Sequence, residues 1–201
     1  MRIIIVVVIA LGLLVYGGLR SSTAQSDTPS AETPHYTQDG KLEFPAEYRN
    51  WIFLTAGFDM SYNPRTRMPG HSMFDNVFVS PTAYREFLKT GTWPDKTMLV
   101  LEARMAGSNA SINKSGHFQT TETMGHEVHV KDSRFPGGWA FFGFDEDEKQ
   151  ATMITADMPC YSCHQQHGAV DTTFVQFYPT LIKLAEQKGT LSDAYKKEKS
   201  N

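Results

Sequence analysis

Both cysteines of this 201-residue chain fall inside one short run, Cys160-Tyr161-Ser162-Cys163-His164, and no other feature restricts the chain as strongly. Cys-x-x-Cys-His is the attachment pattern of a c-type haem. The chemistry explains the spacing. Two thiols add to two vinyl groups on one edge of a porphyrin, so they must lie on one turn of chain. The adjacent histidine then swings under the ring and ligates the iron. The run therefore predicts one haem c, covalently attached through Cys160 and Cys163, with His164 as the metal ligand. Two other readings compete. Paired cysteines in an exported chain often form a disulfide. A zinc site would need a further ligand, for which His167 is the nearest candidate. A thioredoxin-like motif wants a βαβ setting, and none is visible around residue 160.

Export is the expectation from the N-terminus. After Met1-Arg2 an apolar run of 17 residues extends from Ile3 to Leu19. Arg20 and the small residues Ser21-Ser22-Thr23-Ala24 follow, as in a signal peptide cleaved after Ala24. The alternative is an uncleaved anchor at the lower edge of membrane-spanning length. Residues 1–24 are thus a signal peptide or N-terminal anchor, and the protein is expected in the periplasm or at the outer face of the inner membrane. Contact with a membrane is expected only if the segment stays. Residues 25–40 are polar and Pro-containing and read as a flexible linker. A domain over 41–190 and a charged tail over 191–201 complete the organisation.

The formal net charge is −3. Loss of Arg2 and Arg20 with a signal would leave 17 basic against 22 acidic residues, a charge of −5. Neither value supplies the basic field that nucleic acid needs, so no nucleic-acid partner is expected. Hydrophobic residues make up 40%, enough for a core. Short runs rich in β-branched and aromatic residues recur at 51–55, 76–79, 98–101, 126–130 and 139–144, bounded by Gly, Pro, Asn or Asp, and predict antiparallel strands. In the fourth run, alternation puts Glu127 and His129 on one face and His126, Val128 and Val130 on the other. Pro81 to Thr90 reads as a helix closed by Gly91, and Tyr178 to Lys188 as another closed by Gly189. The fold class is α+β, mostly antiparallel β-sheet with a few short helices.

Whether iron gains a second protein ligand separates an electron carrier from a protein that binds small molecules. His35, His71, His117, His126, His129, His167 and the methionines from Met60 to Met158 are the available candidates.

An ordered set of segments carries a resemblance. Val77-Phe78-Val79-Ser80-Pro81-Thr82-Ala83-Tyr84, Gly91-Thr92-Trp93-Pro94-Asp95, Glu102, Val130-Lys131-Asp132-Ser133, Trp139-Ala140-Phe141 and the stretch from Cys160 through Asp171, Phe174 and Phe177 to Pro179 together resemble the cytochrome P-460 family, which includes the cytochromes c′-beta. The resemblance spans roughly residues 40 to 190. It implies a cytochrome P-460-like antiparallel fold, a homodimer and one pentacoordinate c-type haem. It also implies one of two activities. Members of the P-460 type oxidise hydroxylamine and carry a lysine bonded to the haem macrocycle. Members of the c′-beta type lack that bond and bind nitric oxide at a crowded distal face.

Read without a gap from Gly91–Asp95, the cross-linking lysine of the family falls on Leu101, which has no nucleophilic nitrogen. Lys96 and Lys114 would each require a register shift, and a slip of one residue turns every side chain to the other face. The family's distal arginine falls on Asp75. Glu127, five residues before Asp132, matches the carboxylate that relays protons in the hydroxylamine-oxidising members. Phe74, Phe78, Leu99, Leu101 and Met105 are expected to crowd the iron and to favour neutral diatomics. The leading expectation is a mono-haem cytochrome binding NO at an open site without a lysine cross-link. The alternatives are a hydroxylamine-oxidising enzyme with Glu127 as proton relay, and a plain electron-transfer cytochrome serving an unknown redox partner.

Overall fold

The computed structural model describes residues 32–61 and 72–200. The expected signal or anchor, the linker up to residue 31 and His71 lie outside the described residues. Among the described residues, no helix is long and apolar enough to cross a membrane.

Among the described residues, seven strands and four α-helices follow in the order β1 (Leu42–Glu43), β2 (Ile52–Phe58), β3 (Met73–Val79), α1 (Pro81–Thr90), β4 (Met98–Gly107), β5 (Phe118–Lys131), β6 (Trp139–Phe144), β7 (Gln150–Ala151), α2 (Pro159–His167), α3 (Ile182–Lys188) and α4 (Asp193–Lys199). Strands β2 to β6 form one antiparallel sheet in sequential order, and β1 pairs with β7. The architecture is α+β, as the strand-rich sequence implies.

Period-two alternation divides the sheet into two unlike faces. Along β4, Met98, Val100 and Glu102 point one way. They pack with Val128 and Val130 of β5, Ala140, Phe142 and Phe144 of β6, and the N-terminal segment from Leu42 to Trp51. Leu99 points the other way and joins Val79, Phe141 and the helical layer through Phe87, Trp93, Val170, Val175, Leu181 and Ala185. Each large apolar side chain so buried contributes roughly 1.5–3 kcal/mol. Helix α1 begins with Pro81 at its first turn and ends at Gly91, whose φ of 78° closes it in the left-handed conformation.

Three boundaries depart from expectation. The second expected helix starts at Ile182 rather than Tyr178, because the chain around Pro179 turns through Val175–Phe177 before it coils. The segment read as a charged tail forms α4, capped by the Ser192 hydroxyl, which accepts from the Tyr195 amide. From Tyr36 the segment read as linker already belongs to the fold: Tyr36 bridges Leu42 and meets the rings of Phe135 and Phe142.

One charge is buried on the apolar face. Glu102 is 1% exposed and accepts from Arg104 at 3.0 Å, from Asn76 Nδ2 at 3.2 Å, and from Tyr48 and Arg49. Burial by itself would raise its pKa. The hydrogen bonds from Arg104 and Tyr48, with the charges of Arg49 and Arg104, outweigh that and hold it at about 2. A depressed carboxylate stabilises the fold above its unfolded value and loses that contribution as pH falls. We predict that Glu102→Gln lowers stability by about 3–5 kcal/mol at pH 7, the cost of leaving a buried partner unpaired. Denaturant unfolding at several pH values checks this: the deficit should shrink between pH 4.5 and about 2.

Candidate functional site

Helix α2 presents the cysteine–histidine run. Pro159 occupies its first turn and Met158 enters in extended conformation, so the helix starts one residue before Cys160. Cys160 and Cys163 are spaced one turn apart on the same side, with His164 next to them. Both thiols are free and half-buried, so no disulfide joins them. Tyr161, inside the run, pins the helix to β6: its hydroxyl donates to the Ile154 carbonyl at 2.9 Å and accepts from the Phe141 amide at 3.2 Å.

Gly168 ends the helix because nothing larger fits. A Cβ there would stand 2.5 Å from the Thr172 carbonyl carbon and 2.6 Å from the His164 oxygen. The tight turn from Val170 to Thr173 thereby comes close enough for His164 Nδ1 to meet the Thr172 carbonyl at 2.8 Å. A carbonyl only accepts, so Nδ1 carries the hydrogen and Nε2 keeps its lone pair. Burial, then the neighbouring His129, push the His164 pKa down to about 4, which leaves a neutral imidazole ready to ligate. The rings of Phe174, Phe141 and His129 surround it at centroid distances of 4.3, 4.8 and 4.8 Å.

His164 opens on a cavity of about 660 Å³ between the helical layer and the sheet. Its wall includes Asp75 and Val77 from β3, Leu99, Leu101 and Ala103 from β4, Glu127 and His129 from β5, and Phe174 and Phe177 from the C-terminal segment. Cross-strand pairing brings the central residues together: Leu101 stands opposite both Val77 and Glu127. The Glu127 carboxylate is 59% exposed, open to the cavity, and lies 3.5 Å from His129 Nε2. That hydrogen bond outweighs burial and lowers its pKa. Asp75 goes the opposite way. Burial, then the charges of Glu127 and Asp59, push it up to about 6.

Of the residues singled out in the sequence, Cys160, Cys163, His164, Leu101 and Glu127 converge on this one region. Phe74 and Phe78 do not, and their expected place over the iron is corrected. They sit on the opposite sheet face, Phe78 edge-on to Tyr48 at 5.4 Å and Phe74 against Phe58 at 4.9 Å. Strand alternation is the cause, since it turns Asp75 and Val77 inward and the two phenylalanines outward. Met105 pairs with Met73 toward the strand end and is not part of the wall. Every lysine lies among the described residues, from Lys41 onward, and none lines the cavity. Lys96 binds Asp132 at 2.6 Å and Lys114 donates to the Ser111 carbonyl at 2.9 Å.

The remaining histidines sort themselves by contact. His117 stacks on Phe58, His126 meets Tyr48 on the far face, and His167 pairs with Glu198 at 3.1 Å. His129 is edge-on to His164, too close for an iron atom and its ring plane to pass between the two imidazoles. Met60, Met73 and Met124 line the cavity. Sequence reasoning missed Phe141 and Phe174 as packing around His164. Their place two residues from Trp139 and three before Phe177 within the quoted segments was the available signal.

Among the described residues, no group of three or more His, Cys, Asp or Glu side chains is placed to hold a bare metal ion. The donors present, two free thiols one turn apart and one neutral imidazole over a large, partly apolar cavity, suit a metal that brings its own macrocycle. No curated protein matches the chain. The family model for Cytochrome P460 matches residues 45–175, well over half of the chain and including β2 to β6 with the whole cysteine–histidine run. This chain therefore belongs to the cytochrome P460 family and is a haem cytochrome.

Proposed function

We propose that the protein is an exported, dimeric cytochrome with a single c-type haem, and that it binds nitric oxide at an iron position left open by the chain. The observation that carries this reading is the absence of lysine from the cavity wall, with Leu101 where the cross-linking residue is expected. A leucine contributes bulk and excludes water but offers no nitrogen to bond the macrocycle. Cys160 and Cys163 would hold the haem by thioether bonds and His164 Nε2 would ligate its iron. When bound, the haem supplies one further coordination position for a small ligand.

What the wall admits follows from its side chains. Val77, Leu99, Leu101 and Ala103 form an apolar patch that a neutral diatomic enters without losing hydration. Asp75, Glu127, Asp145 and Glu148 add carboxylates, and among the described residues no lysine or arginine lines the cavity. Neutral ligands are thereby favoured over anions. The same carboxylates support a second reading, hydroxylamine oxidation. Asp75 and Glu127 have pKa values pushed in opposite directions, the pattern of a proton donor and acceptor that share a site. On that reading Glu127 accepts a proton from the N–H or O–H of the substrate, and an external redox partner takes the electrons. The plain electron carrier would instead require a methionine or histidine as sixth ligand, for which Met60, Met73 and Met124 line the cavity.

The reduced absorption spectrum of the purified protein separates these readings. An ordinary high-spin c-type Soret band that shifts on addition of NO is expected. A strongly red-shifted band would mean a lysine–haem bond and hydroxylamine chemistry, and a low-spin band indifferent to NO would mean a methionine or histidine ligand. Cys160→Ala with Cys163→Ala should release the haem under denaturing conditions, read by mass spectrometry of the intact chain. Survival of covalent haem in the double variant would sink the attachment.

Asp75 gives a pH test. Its carboxyl is neutral below about 6 and charged above. Affinity of the ferric protein for fluoride, an anion throughout this range, should fall on the order of threefold to tenfold as pH rises through 6. Asp75→Asn should flatten that fall, while NO binding to the ferrous protein stays insensitive to pH. Spectrophotometric titrations of both ligands check the pair.

A further inference from the structure

The turn that receives the His164 hydrogen bond is held in an unfavourable conformation. Asp171 and Thr172, its two central residues, have φ of 49° and 60°. Two-residue turns of this hand ordinarily use Asn-Gly or Asp-Gly, and a β-branched residue at positive φ is an outlier. Such residues carry a conformational cost and persist only where their surroundings over-determine them.

The surroundings do so from one place. Asp171 Oδ2 accepts from the Trp93 amide at 2.9 Å and from Lys131 Nζ at 3.0 Å. Lys131 Nζ also donates to the Trp93 carbonyl at 2.6 Å, closing a three-residue ring of hydrogen bonds. On the other side of Thr172, the Trp93 indole Nε1 donates to Thr173 Oγ1 at 2.8 Å, and that hydroxyl donates to the Val170 carbonyl at 2.7 Å. Trp93 is 2% exposed and fixed against Phe87 at 4.2 Å. Both neighbours of Thr172 are thus tied to Trp93, Asp171 to its backbone amide and Thr173 to its buried indole, and the Thr172 carbonyl has a single orientation.

We infer that Lys131, Asp171 and Trp93 form a clamp that positions the Thr172 carbonyl on His164 Nδ1, and thereby sets how strongly His164 donates to iron. A firmly accepted Nδ1–H makes the imidazole more electron-rich, strengthens the bond from Nε2 and stabilises the ferric state over the ferrous. Without the clamp the turn relaxes toward negative φ, the carbonyl rotates away and the donation weakens. Lys131, Asp171 and Trp93 touch neither haem nor ligand and act as positioning residues. The inference rests on the reading of His164 as the iron ligand.

The test uses the holoprotein and two readouts, the ferrous iron–histidine stretching band in resonance Raman and the reduction potential. Asp171→Asn and Lys131→Gln should each move the band to lower frequency and raise the potential, with covalent haem retained. Lys131→Arg, which keeps the donor and its charge, should restore both toward wild type. If Asp171→Asn does not fold, Lys131→Gln, at a side chain 24% exposed, reads the same two quantities. A lowered unfolding midpoint with band and potential unchanged would make the clamp merely structural and overturn the inference. A band that survives in His164→Gly would overturn the ligand assignment itself, and the clamp with it.

Discussion

The alternation of side chains across β4 and β5 is the constraint on which the rest of the molecule depends. Because successive residues point to opposite faces, ten residues of β4 serve two environments at once. Leu99, Leu101 and Ala103 wall a cavity, while Met98, Val100 and Glu102 complete a packed layer one peptide away. Neither face can be changed by register without exchanging the other. A slip by a single residue would bury Glu127 among apolar residues and bring Val128 to the cavity.

The two faces solve opposite problems with charge. On the packed face, Glu102 is surrounded by donors and becomes a fixed anion that ties Tyr48, Arg49, Asn76 and Arg104 together. On the cavity face, Asp75 has no such donors among the described residues, and a carboxyl whose ordinary range is near 4 keeps its proton to about 6. The difference lies in what surrounds each acid, since both sit on adjacent strands of the same sheet. The protein can thus hold one acid permanently ionised for structure and leave another responsive to pH.

Much of this was legible in the sequence because it rests on local signals. The cysteine–histidine run, the helix from Pro81 closed by Gly91, and the inward face of the strand carrying Glu127 and His129 all follow from spacing or turn chemistry. What escaped depends on pairing between distant segments. Phe74 and Phe78 looked suited to line a haem pocket by size, but their face follows from Val77 standing opposite Leu101, and that register is not written within either strand. Helix α2 escaped as a helix because its residues, Pro-Cys-Tyr-Ser-Cys-His-Gln-Gln-His, have no apolar period; only Pro159 announced it. The first half of β5, from Phe118 to Met124, escaped because it is a mostly exposed arm without alternation of apolar and polar residues. The strained turn at Asp171-Thr172 escaped because no sequence rule places a threonine at positive φ.

The way α2 is built separates holding a haem from enclosing one. All the groups that would take the macrocycle, Cys160, Cys163 and His164, are neighbours in sequence and share one short helix, so they lie within reach of one another before any distant strands pair. The opposing wall comes from β3, β4 and β5, which must first close a sheet of distant pairings and therefore forms on the slower, topology-limited timescale. On the proposed attachment, the macrocycle could then join its helix before the sheet packs against it. With the haem bonded to Cys160 and Cys163 as proposed, the distal surroundings would be imposed by the fold on a cofactor already tethered.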